Sequence, residues 1–462
     1  MNNQSPIFFC AIGGSGMLPL ALIMKARGHK VIGSDRGRDQ GRTPERFAFL
    51  ESQGIALYPQ DGSGITADLG ALVTSAAVEE TVPDVRTAVE KGVPVQRRAA
   101  VLASLFNQAK VRLAVAGTSG KSTTTGMIGW ILHQAGKNPT VMNGAVMKNF
   151  VTPAVPLASA LVGDPDLFVS EVDESDGSID GFTPTIAVLN NIAHDHKTMD
   201  ELRGLFSRFT AKAQNVVINL DNEETARLAT PPMTSYSLRD PAATLFADQL
   251  AFDQTSVRFR VTHTAANQNV TLHLPLQGRH NVSNALAAMG AAMAAGVTLE
   301  VAARALESFA GIARRMEKVG QVRGITVYDD FAHNPDKIAA SLDALHQFEG
   351  RLSILFQPHG YGPLKLMKEG FIEVFSRLLR PQDALFIVET MYLGGTVDKS
   401  VTSADLVEAL RQKGCPAFYE SDREKAAATM VAAAQSGDRL IVMGARDDTL
   451  PVLAAKILAA LG

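Results

Sequence analysis

Residues 111–125 read VRLAVAGTSGKSTTT, and this stretch decides the architecture. The mostly apolar run VRLAVA has the composition of a buried parallel strand. A glycine turn follows, and STTTGMIGWILHQAG (122–136) then carries a helical pattern that Gly136 stops. A strand that turns through glycine into a helix offers backbone N–H groups and the positive end of a helix dipole to an anion. Lys121 adds a full charge, and Ser122 offers a hydroxyl to a magnesium ion. The candidate nucleotide loop is therefore Gly117, Thr118, Ser119, Gly120, Lys121, Ser122 and Thr123. It departs from the strict GxxxxGK pattern, because Val115 stands where the first glycine belongs.

Outward from this loop the alternation repeats on both sides. Upstream, IFFCAI (7–12), GGSG, the helical MLPLALIMKARG and KVIGSD give strand, turn, helix and strand. Downstream, DLFVSE and TIAVLNNI are further buried strands, and after residue 214 a two-residue period such as SVRFRVTH suggests an antiparallel stretch. The last third alternates again through ITVYDD, LSILFQ, ALFIVE and RLIVMG. The expected fold class is α/β with three domains: a Rossmann-like domain over 1–107, a central P-loop-type ATPase domain over 108–312 with a parallel sheet plus a small antiparallel sheet, and a Rossmann-like domain over 313–462.

The chain has 462 residues with a net charge of −3, so a strongly basic nucleic-acid surface is not expected. No apolar stretch is long enough to span a bilayer. The two cysteines, Cys10 and Cys415, lack metal-type spacing and suit a reducing cytoplasm.

In a parallel sheet, ligands sit at the carboxyl ends of the strands. That rule gathers Glu171, Asp173, Glu174, Asp176, Asp195 and His196 beside the phosphate loop. Hard oxygen ligands suit magnesium, so Ser122 and Glu171 are the expected metal ligands; His196 would serve a second ion, or manganese. VDESD reads alternatively as a solvated acidic turn. Near the N-terminus, AIGGSG (11–16) followed by Asp35 is a degenerate dinucleotide fingerprint, which taken alone suggests NAD.

The ordered motifs GTSGKSTTT, EVDESDGS, NNIAHDH, GRHNVSNALAA, GIARRMEKVG and VYDDFAHNP resemble those of the Mur ligases, ATP-dependent amide ligases of bacterial cell-wall synthesis. The resemblance covers nearly the whole chain and implies an acyl-phosphate mechanism with ATP and Mg2+. The acid would be UDP-N-acetylmuramate, and the amine L-alanine or a peptide such as L-Ala-γ-D-Glu-meso-diaminopimelate. It implies catalytic roles for Lys121, Glu171, His196, Arg315 and Asp330. It also places Asn281, Asn284, Arg314, Asp330 and His333 around ATP, although helix capping also accounts for Asn281. The first glycine turn would then hold the UDP diphosphate with Gly13, Gly14, Ser15 and Gly16, with Ser34 and Asp35 near the uridine and Asp173, Glu174 and Ser175 near the sugar. Monomer and homodimer both stay open.

The chain also departs from that pattern. Alanine-adding members usually continue FQPHRYTRT, whereas FQPHGYGPLK (356–365) puts Gly360 in place of the arginine. Asn334 replaces the second histidine of DDxxHHP, and Thr396 stands where an acidic residue is common. These changes fall in the domain expected to choose the amine.

Overall fold

A computed structural model describes residues 5–462 except 77, 175–176, 194–196, 231 and 393–397. The chain forms two compact units, 1–312 and 313–462. Among the described residues no helix is long and apolar enough to cross a membrane.

The first unit holds two sheets. Strands β1 (Ile7–Cys10), β2 (Val31–Ser34), β3 (Ala56–Tyr58), β4 (Ala71–Thr74) and β5 (Val95–Arg97) form a parallel sheet in the order β3-β2-β1-β4-β5. The second sheet comprises β6 (Val111–Ala116), β7 (Pro139–Met142), β8 (Ala160–Leu161), β9 (Asp164–Glu171), β10 (Ile186–Leu189), β11 (Asn215–Asn219), β12 (Met233–Ser237), β13 (Leu245–Phe252), β14 (Val257–His263) and β15 (Gln268–Leu274). Their order is β15-β14-β13-β12-β11-β10-β6-β9-β7-β8.

The two-period stretch SVRFRVTH is β14, antiparallel to β13 and β15, with Val257, Phe259 and Val261 buried. The antiparallel region begins later than residue 214, however. Strands β11 and β12 still pair in parallel, and the antiparallel strands extend the same sheet instead of forming their own.

Alternate residues of β6 feed two cores. Leu113 and Val115 pack with the helices Lys121–Gln134 and Arg279–Ala294, while Ala114 and Ala116 face a core that also contains Ile7, Phe9 and Phe106 of the first sheet's layer. The Phe106 ring meets Phe168 and Phe182 at centroid separations of 5.7 and 5.3 Å. Apolar packing is therefore continuous across residue 107.

The second unit holds β16 (Glu317–Val322), β17 (Ile325–Asp330), β18 (Leu352–Gln357), β19 (Ala384–Val388), β20 (Ala417–Glu420) and β21 (Arg439–Gly444), ordered β16-β17-β21-β18-β19-β20. All pair in parallel except the edge strand β16. The sequence pattern does not announce β16, because EKVGQV places only two valines among polar and glycine residues and lies half-exposed.

Candidate active site

The registers of the second sheet put four strand ends level. Val115 pairs with Glu171 and Ala116 with Leu189, while Met142 pairs with Ser170. The turns that leave β6, β7, β9 and β10 therefore meet at one carboxyl edge, the place where parallel sheets bind ligands.

The glycine turn after β6 has the strained backbone such a loop needs. Gly117 and Gly120 take φ of +128° and +79°, values that suit glycine. A Cβ on Gly120 would lie 2.5 Å from Asn284 Oδ1, so only glycine fits under that helix. The loop is pinned from the neighbouring strand end. Asn191 Oδ1 accepts from Thr118 Oγ1 and Ser119 N, both at 2.9 Å, and Asn191 Nδ2 donates to Ser119 O at 3.2 Å. Ala193 N donates to Thr118 Oγ1 at 3.1 Å. Asn190 Nδ2 donates to Thr124 Oγ1 at 2.9 Å. The motif NNIAHDH does not announce a task for these two asparagines; their place at the end of a buried strand beside the loop is the signal that could find them.

Lys121 Nζ donates to Gly117 O at 2.7 Å and to Glu174 Oε2 at 2.8 Å. Burial works against the Lys121 charge, but Glu174, Asp173 and Glu171 together hold its pKa above the ordinary lysine value. Burial raises the Glu174 carboxyl, and Lys121 opposes that rise. Glu174, expected near the sugar, is thus held against the phosphate loop by Lys121. Asp173, next to it, is exposed.

Ser122 Oγ donates to Glu171 Oε2 at 2.7 Å, and Gly144 N donates to Glu171 Oε1 at 2.5 Å. Asn143 Nδ2 holds Ser122 O at 2.8 Å. Asn143 and Gly144, which follow β7, are further residues that motif reading missed. A hydroxyl and a carboxylate side by side make a hard-oxygen donor set that fits Mg2+ together with phosphate oxygens. Among the described residues no three His, Cys, Asp or Glu side chains cluster as a ready-made metal cage. His196 and Ser175, both expected at the site, lie outside the described residues, as do Asp176, Asp195 and Thr396.

Asn281 and Asn284 are buried at the base of the loop. Asn284 Oδ1 accepts from Thr124 Oγ1 at 3.3 Å, Asn284 Nδ2 donates to Asn281 Oδ1 at 3.2 Å, and Asn281 Nδ2 donates to Gln277 O at 2.8 Å. These contacts tie the helix Arg279–Ala294 to the loop. Burial depresses the neighbouring His280 to about 4, so that imidazole is neutral at pH 7.

The first glycine turn is braced by the acid that follows the next strand. Gly13 is buried, and its N–H donates to Asp35 Oδ2 at 2.9 Å, while Gly37 N donates to Asp35 Oδ1 at 2.7 Å. Asp35 therefore braces the turn with both oxygens, and one of them takes the Gly13 N–H. Ser34 is fully buried and donates to Asp84, whose other oxygen accepts Gly62 N at 2.8 Å. Gly14, Ser15 and Gly16 remain at the helix start, with Arg98 packed against Gly16 and Arg46 Nη1 donating to Gly13 O at 3.0 Å. Neither arginine stands in a recognisable motif.

In the second unit the carboxyl edge gathers Arg314, Arg315, Asp330, His333 and His359. Arg314 has φ of +60°, and its guanidinium donates to Gly444 O at 2.8 Å and Asp447 O at 3.1 Å while lying 3.3 Å from Asp329 Oδ2. It ties the strand ends together. The Phe331 ring carries two guanidinium groups, with Arg314 Cζ at 5.0 Å and Arg315 Cζ at 4.8 Å from its centroid. Asp330 is buried, accepting from Met316 N at 3.3 Å and from the Ser341 hydroxyl. The His333 and His359 rings meet edge to face at 4.8 Å, and burial, then the Lys337 charge, holds His333 well below its ordinary pKa. Gly360 takes φ of +152° and ψ of +151°, a region open essentially to glycine alone.

Three family models match in order: the Mur ligase family catalytic domain over 6–110, the Mur ligase middle domain over 115–292, and the Mur ligase glutamate ligase domain over 314–446. The curated UDP-N-acetylmuramate–L-alanine ligase of Lachnospira eligens is 32% identical over 460 residues, covering 96% of each chain. That of Solibacter usitatus is 34% identical, covering 95% of this chain and 92% of its own. Among solved structures, the UDP-N-acetylmuramate–alanine ligase of Thermotoga maritima superposes with a TM-score of 0.81 at 24% identity over 99% of both chains. The murein peptide ligase of Psychrobacter arcticus superposes with a TM-score of 0.74 at 24% identity, again over 99% of both. Relatives this similar from end to end, with all three domain models in order, settle the descent of the strand-end site described above: the chain belongs to the Mur ligase family.

Proposed function

We propose that this ligase joins the lactyl carboxylate of UDP-N-acetylmuramate to the amino group of L-alanine, converting ATP to ADP and phosphate. The carboxylate oxygen attacks the γ-phosphorus and ADP leaves. The amine nitrogen then attacks the acyl carbon, phosphate departs and the amine loses a proton, leaving an amide. The observation that carries this reading is Lys121 on the glycine turn next to the Ser122–Glu171 pair at one strand edge, in a chain whose full-length curated relatives bear this enzyme's name.

Such chemistry needs charge neutralisation and positioning more than a protein nucleophile. Lys121 and the Gly117–Thr123 backbone take the β- and γ-phosphates. Ser122 and Glu171 hold Mg2+, which when bound neutralises charge shared by nucleotide and acid; His196 is assigned to a second ion. Arg315 is the better candidate of the two arginines for a phosphate, because Arg314 is committed to Gly444 and Asp447. Residues 1–107 are assigned the UDP-sugar, 108–312 the nucleotide and 313–462 the amine. Gly14, Ser15 and Gly16 face the diphosphate with Arg98 beside them.

A second reading keeps the acid and changes the amine to the tripeptide L-Ala-γ-D-Glu-meso-diaminopimelate. Gly360 opens it: this chain lacks, at that position, the guanidinium that alanine-adding members carry. Phosphate release with ATP, magnesium and UDP-N-acetylmuramate, compared across L-alanine, glycine, L-serine and the tripeptide, decides between them. Release with L-alanine above the other amines supports the first reading. Release with the tripeptide alone supports the second, and no amine-dependent release overturns both.

A further inference from the structure

The Lys121 ammonium lies where a nucleotide phosphate would need it, and the chain already supplies an anion there. Glu174 Oε2 sits 2.8 Å from Lys121 Nζ, with side-chain exposures of 5% for Glu174 and 19% for Lys121. The same ammonium donates to Gly117 O at 2.7 Å. The helix that begins at Lys121 runs for 14 residues, and its N-cap, Gly120, brings no side-chain acceptor. A carboxylate from the turn after β9 thus occupies the cationic end of the phosphate loop, held by the attraction that serves a phosphate.

We propose that Glu174 is an internal competitor for nucleotide, a phosphate mimic that the β- and γ-phosphates must displace from Lys121 in order to bind. This rests on reading the loop as the nucleotide site. A phosphate and Glu174 cannot share one ammonium without bringing two anions together in a partly buried pocket, where their repulsion is poorly screened. Glu174 therefore sets nucleotide affinity below what the loop would otherwise give. It also links nucleotide binding to the turn that carries Glu171, because Glu171 and Glu174 are three residues apart on one segment.

A purely structural ion pair predicts the opposite sign. Its loss would loosen the loop and weaken binding, whereas loss of a competitor tightens it. The test is calorimetric titration of the full-length protein with ADP and with ATP plus magnesium. Glu174→Gln should lower the Kd for both nucleotides by about tenfold, the effect of removing one like-charge contact from such a pocket. Glu174→Met, which keeps the volume and drops the charge, should do the same and stands in if the glutamine variant folds poorly. In a Lys121→Ala background the Glu174→Gln gain should vanish, because no ammonium remains to be contested. Unchanged or weaker binding in both Glu174 variants overturns the inference while leaving the nucleotide site intact, provided Lys121→Ala weakens binding. Failure of the wild-type protein to bind either nucleotide overturns the inference and the proposed function together.

Discussion

Glu171 divides its carboxylate between two strand ends: Oε2 accepts the Ser122 hydroxyl at 2.7 Å, and Oε1 accepts the Gly144 amide at 2.5 Å. One side chain thereby registers the turn after β7 against the start of the helix that follows the phosphate loop. The amide contact exists only because residue 144 lacks a side chain.

Gly144→Ala tests that relationship. A Cβ there would lie 2.2 Å from Glu171 Oε1, so the carboxylate has to move. Displacement of a catalytic group by about 1 Å costs on the order of 100-fold. The expected outcome is a fall of that size in kcat with Tm nearly unchanged, measured by ADP release and thermal melting. Wild-type kcat in a folded variant would remove Glu171 from the working site.

Asn191 offers a test of loop preorganisation. Its carboxamide makes three hydrogen bonds to Thr118 and Ser119, and Asn191→Ala leaves those groups to water or to no partner. Loss of a buried partner costs about 1–3 kcal/mol. Part of that cost is expected as lower Tm and part as weaker nucleotide binding, so KM for ATP should rise about tenfold while KM for the UDP-sugar stays constant. Equal changes in both KM values would indicate general loosening of the first unit.

The contrast between these residues and the rest of the site shows what the sequence makes legible. Lys121 and Ser122 are readable because strand, glycine turn and helix are local patterns with fixed spacing. Glu171 is readable because a buried strand ends there. Asn143, Asn191 and the Glu174–Lys121 contact depend on which strands are neighbours, and the order β10-β6-β9-β7 is not written in any one segment. Asp35 shows the converse. Its spacing from AIGGSG suggests a ligand-binding acid and says nothing of the brace it forms with the amides of Gly13 and Gly37. Strand β14 was legible from its two-residue period, whereas β11 and β12 looked like part of the same region and pair in parallel instead.

Arg314 and Arg315 are adjacent in sequence, and their substitutions should separate cleanly. Arg314 is mostly buried and donates to Gly444 O and Asp447 O beside Asp329, so Arg314→Ala leaves two carbonyls without their donor. Loss of a buried hydrogen-bond donor costs about 1–3 kcal/mol for the partner left unsatisfied. Chemical denaturation should show that loss in the second unit. Arg315→Ala should keep wild-type stability within about 1 kcal/mol and lower kcat by about 100-fold, the scale of one lost charge-stabilising group. Reversal of the two phenotypes would exchange the roles assigned to the pair.

Asp329 gives that unit a pH dependence of predictable sign. Burial pushes its carboxyl up to about 7, against the opposing pull of Arg314, whereas an aspartate in an unfolded chain titrates near about 3.9. The folded state therefore keeps this proton across a window in which the unfolded state has released it. The contribution to stability is complete below about pH 4 and declines by about 1.4 kcal/mol per pH unit as the pH rises toward 7. Asp329→Asn fixes the neutral form and should flatten that slope in the second unit's denaturation midpoints between pH 4 and 7. Arg314→Ala removes the charge that favours the carboxylate and should extend the slope to higher pH. If Asp329→Asn left the slope unchanged, the proton would reside on another group, and the Arg314–Asp329 contact would be a fully ionised pair.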